Sequence, residues 1–115
     1  MIRGRTVCTG LLLTFSIASG FAAGHSEIAD AVMRADNAAV RELLARKADV
    51  NSSQVGGATA LHWAVYRDDL ETSRLLIRAG AKVDARNREG ITPLAMASLY
   101  GNVSLVDTFF RLERT

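Results

Sequence analysis

Histidines and carboxylates are the side chains of this sequence that could carry acid–base chemistry or bind a metal ion. His62 is a candidate general base or metal ligand, and His25 is the other histidine. Asp68, Asp69 and Glu71 form an acidic cluster. Carboxylates act as acid and base when burial separates their pKa values. This cluster falls in a polar break between two apolar stretches, so we expect it to be solvated and without catalytic function.

Basic residues offer little for nucleic acid binding. Arg78, Arg86 and Arg88 lie close together in the sequence, but Asp84 and Glu89 interleave them. No aromatic residue is interspersed, as binding of a single strand would require. No glycine-rich loop followed by Lys-Ser or Lys-Thr is present to hold a phosphate. We therefore interpret this stretch as a mixed-charge finger that binds protein.

The first 24 residues differ in composition from the remainder of the 115-residue chain. Arg3 and Arg5 precede an uncharged, apolar stretch, and small residues close it at Gly24. This order is typical of a secretory signal peptide. We predict a signal peptide at 1–24 with cleavage after Gly24, or after Ala22 or Ala23, and a mature protein in the periplasm or outside the cell. The alternative is an uncleaved segment that anchors an envelope scaffold to the membrane.

Removal of this segment changes the charge of the chain. The whole sequence has 14 Lys and Arg against 12 Asp and Glu, a net charge of +2. Residues 1–24 contain Arg3, Arg5 and no acid, so the remainder carries 12 charges of each sign. The single cysteine, Cys8, is removed as well. A neutral, thiol-free body excludes a disulfide framework and gives no electrostatic reason to expect a nucleic acid partner.

The body of the chain repeats with a period of 33 residues. Thr59-Ala60-Leu61-His62-Trp63-Ala64 recurs as Thr92-Pro93-Leu94-Ala95-Met96-Ala97. The same offset leads back to Ser26-Glu27-Ile28-Ala29-Asp30-Ala31. A period of this length indicates a solenoid of stacked supersecondary units.

The pattern predicts two short helices in each unit. Ser26, Thr59 and Thr92 stand where a hydroxyl oxygen caps the start of the first helix. The second helices are amphipathic. Gly80 follows the second helix of the middle unit, at a position where the backbone is often left-handed and glycine adopts that conformation at the lowest cost. Gly101 marks the break between the two helices of the third unit.

Two motifs and the 33-residue period resemble ankyrin repeats. The motifs are Thr-x-Leu-His-x-Ala and Leu-Leu-Ile-x-Ala-Gly-Ala-x-Val-Asp. The resemblance implies an all-α solenoid of about 2.7 repeats: a degenerate repeat at 25–57, a repeat at 58–90 and an incomplete repeat at 91–115. The matching motif positions are Thr59, Leu61, His62, Ala64, Gly80, Gly90, Thr92, Pro93, Leu94 and Gly101. In such a repeat, His62 would begin a helix and hydrogen-bond to a neighbouring turn.

The resemblance also implies a non-catalytic module that binds an unidentified protein, with no cofactor, metal, small-molecule substrate or nucleic acid. The partner would contact the turns and the first helices. The contact positions carried over from the family are Ser53, Arg86, Arg88, Glu89 and Ile91 in the turns, and Met33, Arg34, Tyr66, Arg67, Leu99 and Tyr100 on the helices. Tyrosines on a polar surface are typical of interaction hot spots.

The third unit reaches Thr115 without a closing turn. Leu105, Val106, Phe109 and Phe110 form an apolar stripe that a further unit would normally cover. An exposed stripe of this kind marks an interface or an aggregation hazard, and self-association through this end is one way to cover it. The alternatives are the N-terminal part of a longer ankyrin array or of an enzyme that bears repeats.

Overall fold

The computed structural model describes residues 25–113, and the predicted signal peptide at 1–24 lies outside them. Six helices form three pairs, one in each predicted repeat range. Their bounds are α1 Glu27–Met33, α2 Asn37–Ala45, α3 Ala60–Tyr66, α4 Leu70–Arg78, α5 Pro93–Leu99 and α6 Val103–Glu113. Within 25–113 the β-structure consists of one isolated antiparallel bridge between Ser53 and Thr59. The predicted all-α solenoid is confirmed.

Hydroxyl residues begin the first helix of every pair, as the sequence predicts. Ser26 Oγ accepts a hydrogen bond from the backbone N–H of Ala29, and Thr92 Oγ1 accepts one from Ala95, each at 3.0 Å. Thr59 caps α3 in the same way. These oxygens satisfy N–H groups that have no partner inside the helix. The local sequence therefore determines where each unit starts.

A left-handed residue separates the two helices of each pair. Ala35, Asp68 and Gly101 lie 33 residues apart and have φ angles of 60°, 58° and 69°. A residue with a Cβ pays a steric penalty in this region, whereas glycine does not. The sharp break turns the chain so that the second helix packs back against the first.

The core lies between the stacked pairs. The first helices pack on one another, α1 on α3 and α3 on α5, and α4 packs on α6. Ile28, Leu61, Leu76 and Leu105 are fully buried between them. The outermost second helix, α2, contributes one fully buried side chain, Val40. Among the described residues, α3 is therefore covered by first helices on both sides, whereas α1 and α5 are each covered by a first helix on one side.

The stripe predicted to be exposed on α6 is divided by the structure. Leu105 and Phe109 are buried, so the expectation that they lie uncovered was wrong. Residues four apart share one face of a helix, and this face of α6 packs against α4 and α5. Val106 is half-buried, and Phe110 is 53% exposed. Within residues 25–113, the six helices are too short or too polar for any of them to cross a bilayer.

Candidate functional site

His62 uses both ring nitrogens to join the second unit to the third. Its Nδ1 accepts a hydrogen bond from the backbone N–H of Thr59 at 3.0 Å, so Nε2 carries the proton and donates to the carbonyl oxygen of Ile91 at 2.8 Å. Burial lowers the pKa of His62, and the hydrogen bond to Ile91 raises it by less. The ring is therefore neutral at pH 7. The predicted hydrogen bond to a neighbouring turn is confirmed.

The acidic cluster begins a helix and supports a turn. Asp69 caps α4, where its two carboxylate oxygens accept hydrogen bonds from the N–H and the hydroxyl of Thr72 at 3.1 and 2.7 Å. Asp68 accepts a hydrogen bond from the side-chain amide of Asn102. In the part of the chain that the structure describes, no three His, Cys, Asp or Glu side chains form a metal-binding group. The carboxylates of Asp68 and Asp69 are thus explained by the architecture of the repeats.

The predicted helix positions lie at the ends of the first helices, α1, α3 and α5, which pack on one another, and we call this surface the first-helix face. Its members are Met33, Arg34, Tyr66, Arg67, Leu99 and Tyr100. The exposed fractions of the four apolar or aromatic side chains are 38% for Met33, 61% for Tyr66, 76% for Leu99 and 55% for Tyr100. Met33, Tyr66 and Leu99 are one period apart, so each unit presents a large side chain to solvent at this position.

A cleft of about 340 Å³ opens between the second and third units. This aromatic cleft is lined by Ala58, His62, Trp63, Tyr66, Asn87 and Met96. The rings of Trp63 and Tyr66 meet edge to face, with their centroids 5.6 Å apart and their planes at 86°. This arrangement is favourable for aromatic pairs. Tyr66 therefore belongs both to the first-helix face and to the cleft.

Two successive hydrogen bonds hold the indole N–H of Trp63. Trp63 Nε1 donates to Gln54 Oε1 at 2.8 Å, and Gln54 Nε2 donates to Asp30 Oδ1 at 2.6 Å. These hydrogen bonds connect the first unit to the second. Sequence reasoning missed Gln54, although an amide, Asn87, recurs one period later. Asn87 instead closes its own turn, since its Oδ1 accepts hydrogen bonds from backbone N–H groups within that turn.

The two turns between units lie against each other. The backbone N–H of Arg88 donates to the carbonyl oxygen of Gly56 at 2.9 Å, and its guanidinium donates to the carbonyl of Val55 at 3.2 Å. Gly57 approaches Arg88 so closely that a Cβ there would lie 2.8 Å from the Arg88 nitrogen. The structure thus gives Arg88, a predicted contact residue, a role in holding the turns together.

The other predicted turn residues divide by exposure. Arg86 and Glu89 are exposed, and the Arg86 guanidinium donates to the carbonyl of Gly90 at 3.2 Å. Ser53 and Ile91 are half-buried. Ser53 forms the β-bridge to Thr59, and the carbonyl oxygen of Ile91 accepts the hydrogen bond from His62 Nε2. These last two positions support the turns, and they offer less side-chain surface to a partner than the arginines do.

Positive charge prevails among the predicted contact positions. Arg34, Arg67, Arg86 and Arg88 are exposed, and Glu89 is the acid among these positions. The Arg67 guanidinium donates to the carbonyl of Met33 at 3.4 Å, which places its charge beside the end of α1. The surface therefore combines exposed apolar side chains with several guanidinium groups.

Comparison with known proteins agrees with this architecture. The family model for ankyrin repeats in three copies matches residues 28–113. An ankyrin repeat protein of monkeypox virus, OPG189, is 36% identical over 78 residues, which are 68% of this chain and 14% of that protein. The rice potassium channel AKT3 (Oryza sativa subsp. japonica) is 34% identical over 99 residues, which are 85% of this chain and 11% of the channel.

A bacterial relative extends the comparison. An ankyrin repeat protein of Rickettsia bellii is 36% identical over 62 residues, which are 54% of this chain and 37% of that protein. The chain therefore spans well under half the length of these curated relatives. What they share with it is the repeat region, and ankyrin repeats are modules of protein–protein interaction. On the match of residues 28–113, the chain belongs to the ankyrin repeat family.

Proposed function

We propose that the chain binds a partner protein on its first-helix face and adjoining turns, without catalysis. The observation that carries the proposal is the regular exposure of Met33, Tyr66 and Leu99. These large side chains occupy equivalent positions in the three units, yet all are exposed to solvent. Tyrosines surrounded by polar residues contribute strongly to binding energy when a partner covers them.

The absence of a catalytic role is part of the same proposal. Both nitrogens of His62 are engaged in hydrogen bonds, and both carboxylate oxygens of Asp69 receive donors from the start of α4. A general base needs a free lone pair within reach of the substrate proton. His62 therefore has no free lone pair, and the carboxylate of Asp69 is oriented by its contacts with the start of α4.

Site-specific photocrosslinking tests the location of the binding surface. A photoreactive phenylalanine analogue replaces Tyr66 in one variant, Leu99 in a second and Arg41, an exposed residue of α2, in a third. We expect the first two variants to crosslink the same protein of the producing cell, and the Arg41 variant to leave it unlabelled. Equal labelling from all three positions, or labelling from Arg41 alone, would contradict the placement.

We also propose that the mature protein acts in the periplasm or outside the cell. The support is the sequence of residues 1–24, with its arginines, its apolar stretch and its small residues at the end. N-terminal sequencing of protein recovered from the periplasm or medium tests this proposal. Protein that begins near His25 supports cleavage, whereas full-length protein in the membrane fraction supports the anchored alternative.

A further inference from the structure

We propose that the partner segment held at the aromatic cleft is acidic, with an apolar side chain that enters the cleft between carboxylates. This inference rests on the proposed function, since it specifies the chemistry of the partner that the first-helix face binds. The cleft supplies the site for the apolar side chain. Its volume of about 340 Å³ is large enough for one such group, and Trp63, Tyr66 and Met96 form apolar walls.

Arginines directly follow two of the lining residues in the sequence. Tyr66 lines the cleft and is followed by Arg67, and Asn87 lines it and is followed by Arg88. The guanidinium groups of Arg67 and Arg88 are directed to the carbonyl oxygens of Met33 and Val55, where each uses one of its five N–H groups. Both retain donors for a carboxylate, and both side chains are exposed.

Two acids of this region are engaged by groups of the chain itself. Asp68, which follows Arg67, accepts a hydrogen bond from the side-chain amide of Asn102. Glu89 is the exposed acid that follows Arg88. Asp30, on the neighbouring unit, accepts a hydrogen bond from Gln54 at 2.6 Å and lies 3.7 Å from the imidazole of His25. Its carboxylate is thus engaged by groups of this chain. Complementary charge at the rim of an interface determines which partner is accepted, and guanidinium groups pair well with carboxylates.

Trp63 makes the inference directly measurable, because it is the only tryptophan of the chain and forms a wall of the cleft. The probes are short synthetic peptides that carry one central phenylalanine flanked by glutamates, by lysines or by serines, and a fourth with glutamates around a central alanine. Each is titrated into the full chain at low salt while Trp63 fluorescence is followed. We expect the glutamate-flanked phenylalanine peptide to bind about tenfold more tightly than the others.

A charge swap provides the matched control. The double variant Arg67→Glu with Arg88→Glu should lose the glutamate peptide and gain the lysine peptide, whereas Arg41→Gln should behave like the unmodified chain. Gain of the lysine peptide also demonstrates that the double variant is folded.

Each outcome of the titration bears on one proposal. The serine and glutamate peptides could bind with equal affinity, and both could lose that affinity in Tyr66→Ala. This result would overturn the proposal of an acidic partner and would support the proposed binding surface. If no peptide changes the fluorescence of Trp63, the proposal of an acidic partner is overturned as well. The photocrosslinking result then decides the proposed function separately.

Discussion

His62 Nε2 donates a hydrogen bond to the carbonyl oxygen of Ile91, 29 residues further along the chain and in the next unit. Its other nitrogen, Nδ1, accepts the N–H of Thr59 at the start of its own helix. One imidazole ring therefore fixes the beginning of α3 and the turn that follows α4. The bond to Thr59 requires the neutral ring, since a protonated Nδ1 has no lone pair to offer.

The stability of the fold should therefore depend on the protonation of His62. Burial holds its pKa below the ordinary value of 6.5, so the unfolded chain binds the proton more readily than the folded one does. The contribution of His62 is fully present above pH 6.5 and is lost as the pH falls toward the lowered pKa. We expect the free energy of unfolding, measured by urea titration, to decrease from pH 7 to pH 5.

Two substitutions identify the group responsible for this pH dependence. His62→Gln removes the titrating ring and should flatten that part of the profile while lowering stability at pH 7. His25→Gln, at an exposed position, should leave the decrease in place. A decrease of equal size in His62→Gln would assign it to other groups.

Ala35→Gly should stabilise the protein, because Ala35 is held at φ 60° and its Cβ is unfavourable there. Relief of this penalty outweighs the entropy that glycine adds to the unfolded chain, with a net gain of up to about 1 kcal/mol. Ala38→Gly, inside α2, provides the control and should destabilise by a similar amount. Thermal unfolding of both variants measures the difference, and a lower melting temperature for Ala35→Gly would contradict the argument.

Gly57→Ala should destabilise the protein by about 2 kcal/mol or more, whereas Gly56→Ala should change stability by less than about 0.5 kcal/mol. Gly57 has a φ of 86°, and a Cβ there would meet the backbone of Arg88 at 2.8 Å. A Cβ at Gly56 meets no atom within 4 Å. Urea unfolding of the two variants compares neighbouring glycines in the same turn, and equal costs would show that the turns separate easily.

Tyr66→Ala combined with Tyr100→Ala should weaken binding of the crosslinked partner by about 2 kcal/mol or more, a loss of roughly 30-fold in affinity. Both side chains are more than half exposed, so the fold should be retained. Isothermal titration calorimetry gives the affinity, and circular dichroism checks the helices. Arg41→Ala serves as the control on α2, and an unchanged Kd in the double variant would refute the role of the tyrosines.

Phe110→Glu should abolish self-association, if this end of the stack mediates it, because Phe110 is the large exposed side chain on α6 that remains from the predicted stripe. Ile77, one period earlier, is buried at the equivalent position. Size exclusion with light scattering at tens of micromolar should show dimers or larger species for the unmodified chain and monomers for the variant. A clean monomer for the unmodified chain would contradict self-association through this end.

Much of the architecture could be predicted from residues whose effect is local. Ser26, Thr59 and Thr92 cap helices through bonds to N–H groups three residues away, and such contacts depend on sequence spacing alone. The period of 33 residues then transfers each local feature to the next unit. The family resemblance predicts that His62 begins a helix and bonds a neighbouring turn, and the structure identifies the acceptor as the carbonyl oxygen of Ile91.

The remaining contacts depend on side-chain reach, which spacing does not encode. Gln54 and Asn87 are equivalent amides, but Gln54 is one methylene longer and bonds Trp63, whereas Asn87 bonds its own turn. The residue equivalent to Trp63 in the third unit is Met96, which has no N–H to donate. The burial of Leu105 and Phe109 depends on how α6 is rotated against α4 and α5. An apolar stripe in the sequence does not specify that rotation.

The two-sided burial of α3 has a consequence for binding. Ala60, Leu61 and Ala64 are fully enclosed between α1 and α5, and Tyr66 is the last residue of the same helix. A molecule bound at Tyr66 therefore contacts the helix on which the first helices of both neighbouring units pack. Any partner that selects the assembled stack over the opened one stabilises it by mass action. Cohesion of the three units and occupancy of the surface thus become coupled equilibria, with α3 as the element they share.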